Sequence, residues 1–346
     1  MTAPASSAAN VLGVDVDGDQ GAPGGADIGR IVAIGGGHGL AITLRAASLI
    51  SPSVTAVVSV ADDGGSSGRL RDSLGVPPPG DLRRCLSALA DPDSALGRAL
   101  EHRFNEGDLA GHAVGNVLLA GLAEAGGDFV AACEELGRLV GAKGRVLPAS
   151  TQAITLGAAD GESVEGQTAV QNAGGIRSLT LQPHDPEVPP AVLEAIDAAD
   201  QVVLGPGSLY TSVLAAATVP GVRHALAAAG AQKVYVCNLG PQVPESLGHS
   251  AADHLRALQR HGVPVDIMIC NPGSLDGCPD RSSVAPVGVV DMVVATPSGL
   301  SHDPACWPRP SSPASKLASC GAICSDRRRG RGPVPSPIDK GATLQP

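Results

Sequence analysis

Twice in this chain a short apolar run stops at a glycine turn and is followed at once by apolar residues at helical spacing. The first run is Ile31-Val32-Ala33-Ile34, ended by Gly35-Gly36-Gly37-His38-Gly39, with Leu40, Ala41, Leu44 and Ala47 beyond it. The second is Gln201-Val202-Val203-Leu204, ended by Gly205-Pro206-Gly207-Ser208, with Val213, Leu214 and Ala217 beyond. Strand, glycine turn, helix is the natural parse of each. The repeated unit predicts an α/β fold, a Rossmann-like and mostly parallel sheet with helices on both faces. Such turns let a phosphate approach backbone N–H groups at a helix N-terminus, where the dipole favours an anion. The first turn is not the Gly-x-Gly-x-x-Gly dinucleotide fingerprint, because the last glycine of that pattern would fall on Leu40. Taken alone, it is as well explained by a purely structural tight turn.

Val54 to Val60 is apolar and β-branched, as a strand buried on both faces should be. It runs into Asp62-Asp63-Gly64-Gly65-Ser66-Ser67-Gly68-Arg69, and Gly80-Asp81-Leu82-Arg83 follows three prolines. In open α/β sheets ligands bind outside the carboxyl ends of the strands. One aspartate here would be read as a cap or a turn, but the adjoining glycines, serines and arginine point to a site for something charged. In the second turn Ser208 suffices for capping, and Tyr210, Thr211 and Ser212 exceed that need. Residues 109–122 read as a buried helix that places His112 and Asn116 on one face, four apart. For that pair a satisfied core histidine and a ligand contact are equal readings.

Helical spacing also marks 82–100 as two pieces broken at Asp91-Pro92, and 129–140, 190–199 and 250–259 as helices. Strands are expected at 233–239 and 265–270. Alternation between about 150 and 182 predicts a small antiparallel β insertion.

Charge and composition limit the partners. A net charge of -10 argues against electrostatic binding to nucleic acid or an anionic membrane. Aromatic residues make up only 1% of the chain, too few for base-stacking platforms. The eight cysteines show no Cys-x-x-Cys spacing and read as reduced thiols of a cytoplasmic protein. The uncharged run 201–222 reaches spanning length, yet its glycine, proline and hydroxyl content suits lipid poorly, so no membrane span is expected.

Residues 1–29 are expected to be a disordered leader. The folded domain is expected over 30–285. Residues 286–346, rich in proline, serine and arginine, are expected to be disordered or an aberrant tail such as a shifted reading frame would give.

The ordered blocks Ile34 to Leu40, Val60 to Arg69, Leu74 to Arg83, Gly111 to Asn116, Gly144 to Pro148, Gly205 to Ser212 and Ala252 to Leu255 together resemble one family. They are similar to the YvcK-type gluconeogenesis factors within the wider CofD-like family, which includes 2-phospho-L-lactate transferase. The resemblance implies a cytoplasmic protein that binds a UDP-sugar, of the UDP-N-acetylglucosamine type. It would serve growth, cell-wall precursor supply and cell shape on gluconeogenic carbon sources, with a protein partner in amino-sugar synthesis or a homo-oligomer open. It also implies that Gly35, Gly36, Gly37, Gly39, Gly205, Gly207, Ser208, Tyr210, Thr211 and Ser212 line the phosphate region, with Gly64, Gly65, Ser66, Ser67, Asp81, His112, Asn116 and Asn238 beside it. Arg69 and Arg83 would neutralise phosphate, and Asp62 and Asp63 would face a metal or a ligand hydroxyl. No cofactor is firmly implied, and the acidic pair keeps Mg2+ open. The alternative is an Mg2+-dependent transferase of a phosphate-containing group, in which Asp62 and Asp63 take part in the chemistry. His38 stands where the family often has Thr, and the 238–249 loop follows the family pattern only loosely.

Overall fold

The computed structural model describes residues 29–304 apart from 159–162, 276, 280–283, 285 and 297–300. The expected leader lies outside them except for Gly29, as does the tail from 305 on.

The first apolar run forms β1 (Arg30–Gly35), and the glycine turn feeds α1 (Gly37–Ala47). Next come β2 (Ser53–Val58), α2 (Gly65–Leu74), α3 (Gly80–Leu89) and the short α4 (Ala95–Ala99). The helices α5 (Val114–Gly126) and α6 (Phe129–Leu139) then pack against each other before β3 (Arg145–Pro148). The insertion follows as β4 (Thr155–Ala158), β5 (Val164–Glu165), α7 (Gln167–Asn172) and β6 (Leu179–Gln182), its strands paired antiparallel in the order β5-β4-β6.

After α8 (Pro190–Asp197) and β7 (Gln201–Leu204), the second glycine turn enters a π-helical turn (Leu209–Leu214) continued by α9 (Ala215–Ala217). Then come α10 (Pro220–Ala228), β8 (Gln232–Val236), α11 (Ala251–Arg260), β9 (Ile267–Cys270) and β10 (Gly288–Asp291). The main sheet runs β10-β9-β8-β7-β1-β2-β3, and every pairing in it is parallel. This is the expected Rossmann-like α/β fold. Its strands are nearly continuous apolar runs because both faces are covered: Ile31, Ile34, Val57, Val203 and Leu204 are buried. Each such side chain contributes roughly 1.5–3 kcal/mol.

The strand order matters for function. From β1 the chain steps to β2 on one side and later to β7 on the other, so β1 and β7 flank a topological switch point. Crevices open there, outside the carboxyl ends of the strands.

Two expectations need correction. Helix α5 starts at Val114, so His112 is not on it. His112 lies in a tight loop closed by the Arg103–Ala113 bridge, where its carbonyl accepts the Phe104 N–H at 3.0 Å. Residues 108–111 form turns, with the Ala110 N–H on the Gly107 carbonyl and the His112 N–H on the Leu109 carbonyl, which break the helical spacing before Val114. Regular structure also continues past 285, because β10 pairs with β9 from Gly288 to Asp291. The buried Val287 and Val289 anchor that edge strand, which is four residues long and follows directly on Pro286 and Val287. Further on, His302 is buried and its Nε2 lies 3.1 Å from the Cys237 carbonyl. Among the described residues no helix is long and apolar enough to cross a membrane.

Candidate functional site

Helices α1, α2 and α3 all start without a side-chain cap, on Gly36, Gly64 and Pro79. No hydroxyl or carboxylate of the capping residue itself takes their first N–H groups; the Gly37 N–H of α1 is met by Asp81 and the Gly64 N–H at the start of α2 by Asp62 Oδ1 at 3.1 Å. The three starts converge on one cleft of about 960 Å3 at the switch point. Glycine makes this convergence feasible at two contacts. A Cβ on Gly39 would lie 2.1 Å from the Pro206 carbonyl oxygen, so α1 can meet the second turn only without a side chain there. A Cβ on Gly80 would lie 2.2 Å from Ser67 Oγ, which fixes α3 against α2.

A polar chain runs along one wall. Asn116 Nδ2 donates to Ser66 Oγ at 3.0 Å, which leaves the Ser66 hydroxyl to donate to His112 Nδ1, also 3.0 Å away. That assignment makes His112 neutral with its proton on Nε2. Burial lowers its pKa, and the neighbouring Arg69 and Arg103 lower it further. Asn116 Oδ1 accepts from Arg83 Nε at 3.0 Å, and Arg83, only 2% exposed, ion-pairs with Glu101. Arg83 thus lines the cleft while its Nε and its ion pair with Glu101 tie it into the fold.

Asp81 is buried at the cleft floor. It accepts from Arg84 Nη1 at 2.6 Å. Burial raises its pKa, the Arg84 guanidinium and the Gly37 N–H pull it down, and the Asp62 carboxylate pushes it up. Arg69 and Arg103 are exposed on the rim. They donate to the Ala110 and Gly111 carbonyls at 3.0 and 2.9 Å, and neither forms an ion pair among the described residues. The cleft therefore offers uncapped helix starts, hydroxyls and two cationic side chains, a set suited to phosphate.

Of the residues expected at the site, the cleft is lined by Gly36, Gly37, Gly39, Asp62, Gly64, Gly65, Ser66, Ser67, Arg69, Asp81, Arg83, Asn116, Gly207, Ser208, Thr211 and Ser212. Six others stand behind it. Gly35 and Gly205 hold the turns, accepting from the Ser59 N–H at 2.8 Å and Thr43 Oγ1 at 2.8 Å. His112 acts through Ser66. Asn238 braces Gly207, taking its N–H at 3.0 Å and giving its own Nδ2–H to the Gly207 carbonyl at 2.9 Å.

Tyr210 is fully buried, with its hydroxyl 3.3 Å from His249 Nε2, and so faces away from the cleft. Its backbone N–H and that of Thr211 are taken by the buried Glu245 carboxylate, so this helix start is capped from within. Asp63 is also turned away. Its Oδ1 accepts from the Thr168 N–H at 3.0 Å and Thr168 Oγ1 at 2.6 Å, which splits the acidic pair and leaves Asp62 alone on the cleft. Among the described residues no group of three or more His, Cys, Asp or Glu side chains is placed to hold a metal ion.

Sequence reasoning missed Arg84, Arg103, Gln167, Gln171 and Gln242, which also line the cleft. Arg84 had a signal, its i,i+3 spacing from Asp81. Gln167 and Gln171 share one face of α7, a helix with no counterpart in a reading of the insertion as strands alone.

Comparison with known proteins agrees with this geometry. The family model described as 2-phospho-L-lactate transferase CofD matches residues 31–295, which include every residue lining the cleft. The chain is similar to the gluconeogenesis factor of Halalkalibacterium halodurans, at 44% identity over 69% of this chain and 77% of that one. It is also similar to the gluconeogenesis factor of Bacillus subtilis, at 42% identity over 67% and 74%. The crystal structure of a UPF0052 family member from Bacillus halodurans superposes with a TM-score of 0.75 and 36% identity, covering 87% of this chain and 99% of that one. With 265 of its residues inside the family model and the cleft wholly among them, the chain belongs to the CofD family.

Proposed function

We propose that this chain is a cytoplasmic regulatory protein that binds a UDP-sugar, of the UDP-N-acetylglucosamine type, and thereby serves growth, cell-wall precursor supply and cell shape on gluconeogenic carbon. One observation carries the reading: three helix starts without side-chain caps meet Arg69 and Arg103 in a single cleft large enough for a nucleotide sugar. Diphosphate oxygens would take the α1 and α2 N–H groups, and Ser66, Ser67 and Ser212 would supply hydroxyls. The name shared by its relatives supports the gluconeogenic setting. Isothermal titration of UDP-N-acetylglucosamine into the full chain tests it. Saturable binding of one ligand per chain is expected, and the absence of binding by any UDP-sugar overturns the reading.

A second reading keeps one observation of its own. Asp62 presents its carboxylate to the cleft within electrostatic reach of Asp81. Mg2+ characteristically sits on one or two carboxylates and the phosphates of a substrate, so Asp62 would hold the ion in an Mg2+-dependent transferase of a phosphate-containing group. Product formation from nucleotide substrates, dependent on Mg2+ and lost in Asp62→Asn, would decide for it.

A further inference from the structure

A second cavity, about 770 Å3, opens between the insertion strand β6, the start of α10 and the end of α11. Its charge is one-sided. Arg177, Arg223 and Arg260 line it with His184 and His261, and among the described residues no aspartate or glutamate does. In a chain with 34 acidic and 24 basic residues, Arg223 and Arg260 facing one cavity with no carboxylate among its described lining residues run against the overall balance. Elsewhere in this protein arginines find acids readily: on α11 itself, Arg256 pairs with Asp253 at 2.7 Å. One helical turn later Arg260 makes no ion pair among the described residues, and neither does Arg223.

Not every basic residue here carries charge to the cavity. His261 uses both ring nitrogens in the fold: Nδ1 donates to the Ala257 carbonyl at 2.7 Å, and Nε2 accepts the Leu179 N–H at 3.0 Å. It is a strut in its neutral form, and the positive field comes from the arginines. Helix α10, nine residues long, begins at this cavity with Pro220 and has no side-chain cap, which adds its dipole to the same field. Guanidinium forks around a concave space, with a helix start at one end, match the oxygens of a phosphate. The volume is that of a small-molecule site.

We infer that this cavity is a second anion site, separate from the switch-point cleft, for a small phosphorylated molecule held by Arg223 and Arg260. The two sites are joined by one stretch of helical chain. Ser208, Thr211 and Ser212 face the cleft and Thr218 faces the second cavity, while the His261 ring meets Tyr210 edge-on at 6.3 Å.

Calorimetric titration of the full chain with inorganic pyrophosphate tests the inference. The expected result is a binding component that Arg223→Gln/Arg260→Gln weakens by about tenfold or more and Arg69→Gln leaves unaltered. Both arginines are exposed, so the double variant is expected to keep its circular dichroism spectrum. Arg223→Lys/Arg260→Lys, which keeps the charge and loses the fork, is expected to fall between the two. The inference is overturned if the wild-type chain takes up no pyrophosphate, or if the double glutamine variant leaves every component unchanged. It is also overturned if polyglutamate, and not pyrophosphate, responds to that variant, which would assign the cavity to an acidic protein segment.

Discussion

Glu245 Oε1 lies 2.6 Å from the Tyr210 amide nitrogen and 3.1 Å from that of Thr211, and its Oε2 accepts from Thr211 Oγ1 at 3.1 Å. A buried carboxylate of the chain itself thus occupies the helix start that follows the second glycine turn. The phosphate-binding capacity of this turn rests on its hydroxyls, whereas in the first turn Asp81 takes the Gly37 N–H.

Burial raises the Glu245 pKa, and its hydrogen bonds only partly offset that. A carboxyl group with a raised folded-state pKa binds its proton more tightly folded than unfolded. Its contribution to stability therefore falls as pH rises from the ordinary carboxylate value through the raised one, and is flat beyond. Urea unfolding between pH 4 and about 7 is expected to show a shallower fall in Glu245→Gln than in wild type. Asp81, raised in the same direction, retains the remainder. Glu245→Ala is expected to cost about 2 kcal/mol at neutral pH, because two buried N–H groups lose their acceptor.

His254 has the opposite slope. It is fully buried, and burial with the nearby His249 lowers its pKa to about 4. The unfolded chain binds its proton first, so stability is lost as pH falls from about 6.5 to about 4, by about 3 kcal/mol. His254→Gln, which can still pair with the Tyr235 hydroxyl now 2.8 Å from His254 Nδ1, is expected to remove that loss in acid unfolding curves.

Gly39→Ala forces a methyl group to within 2.1 Å of a backbone carbonyl that cannot rotate away. Destabilisation of about 3 kcal/mol is expected by denaturant unfolding, together with loss of nucleotide-sugar binding as the two turns separate. Unchanged stability would mean that α1 and the second turn do not touch.

Arg69→Ala removes an exposed guanidinium whose hydrogen bond among the described residues is to the Ala110 carbonyl. Stability is expected to stay within about 0.5 kcal/mol of wild type. The Kd for UDP-N-acetylglucosamine, measured by calorimetry, is expected to rise by about 10–100-fold.

The parallel sheet was legible because strands such as Val54–Val58 and Gln201–Leu204 are continuous apolar runs, which few other contexts permit. The two glycine turns were legible because they interrupt those runs. The roles of Glu245, Asp63 and Arg83 were not, since each is decided by a partner far away in sequence: Tyr210, Thr168 and Glu101. A carboxylate that caps a distant helix and one that binds a ligand carry the same letter. His112 was placed on the wrong element but among the right neighbours, because Ser66 gathers it with Asn116 whichever backbone carries it.

The tie between Asp63 and Thr168 has a counterpart at the other end of α2, where Arg71 donates to the Ile154 carbonyl at 3.1 Å and to Thr155 Oγ1 at 2.6 Å. One short helix thus grips the insertion at two points and holds Gln167 and Gln171 over the cleft. Far from being wasted on a fastening, the aspartate that turns its back on the ligand is the reason this part of the cleft wall stands where it does.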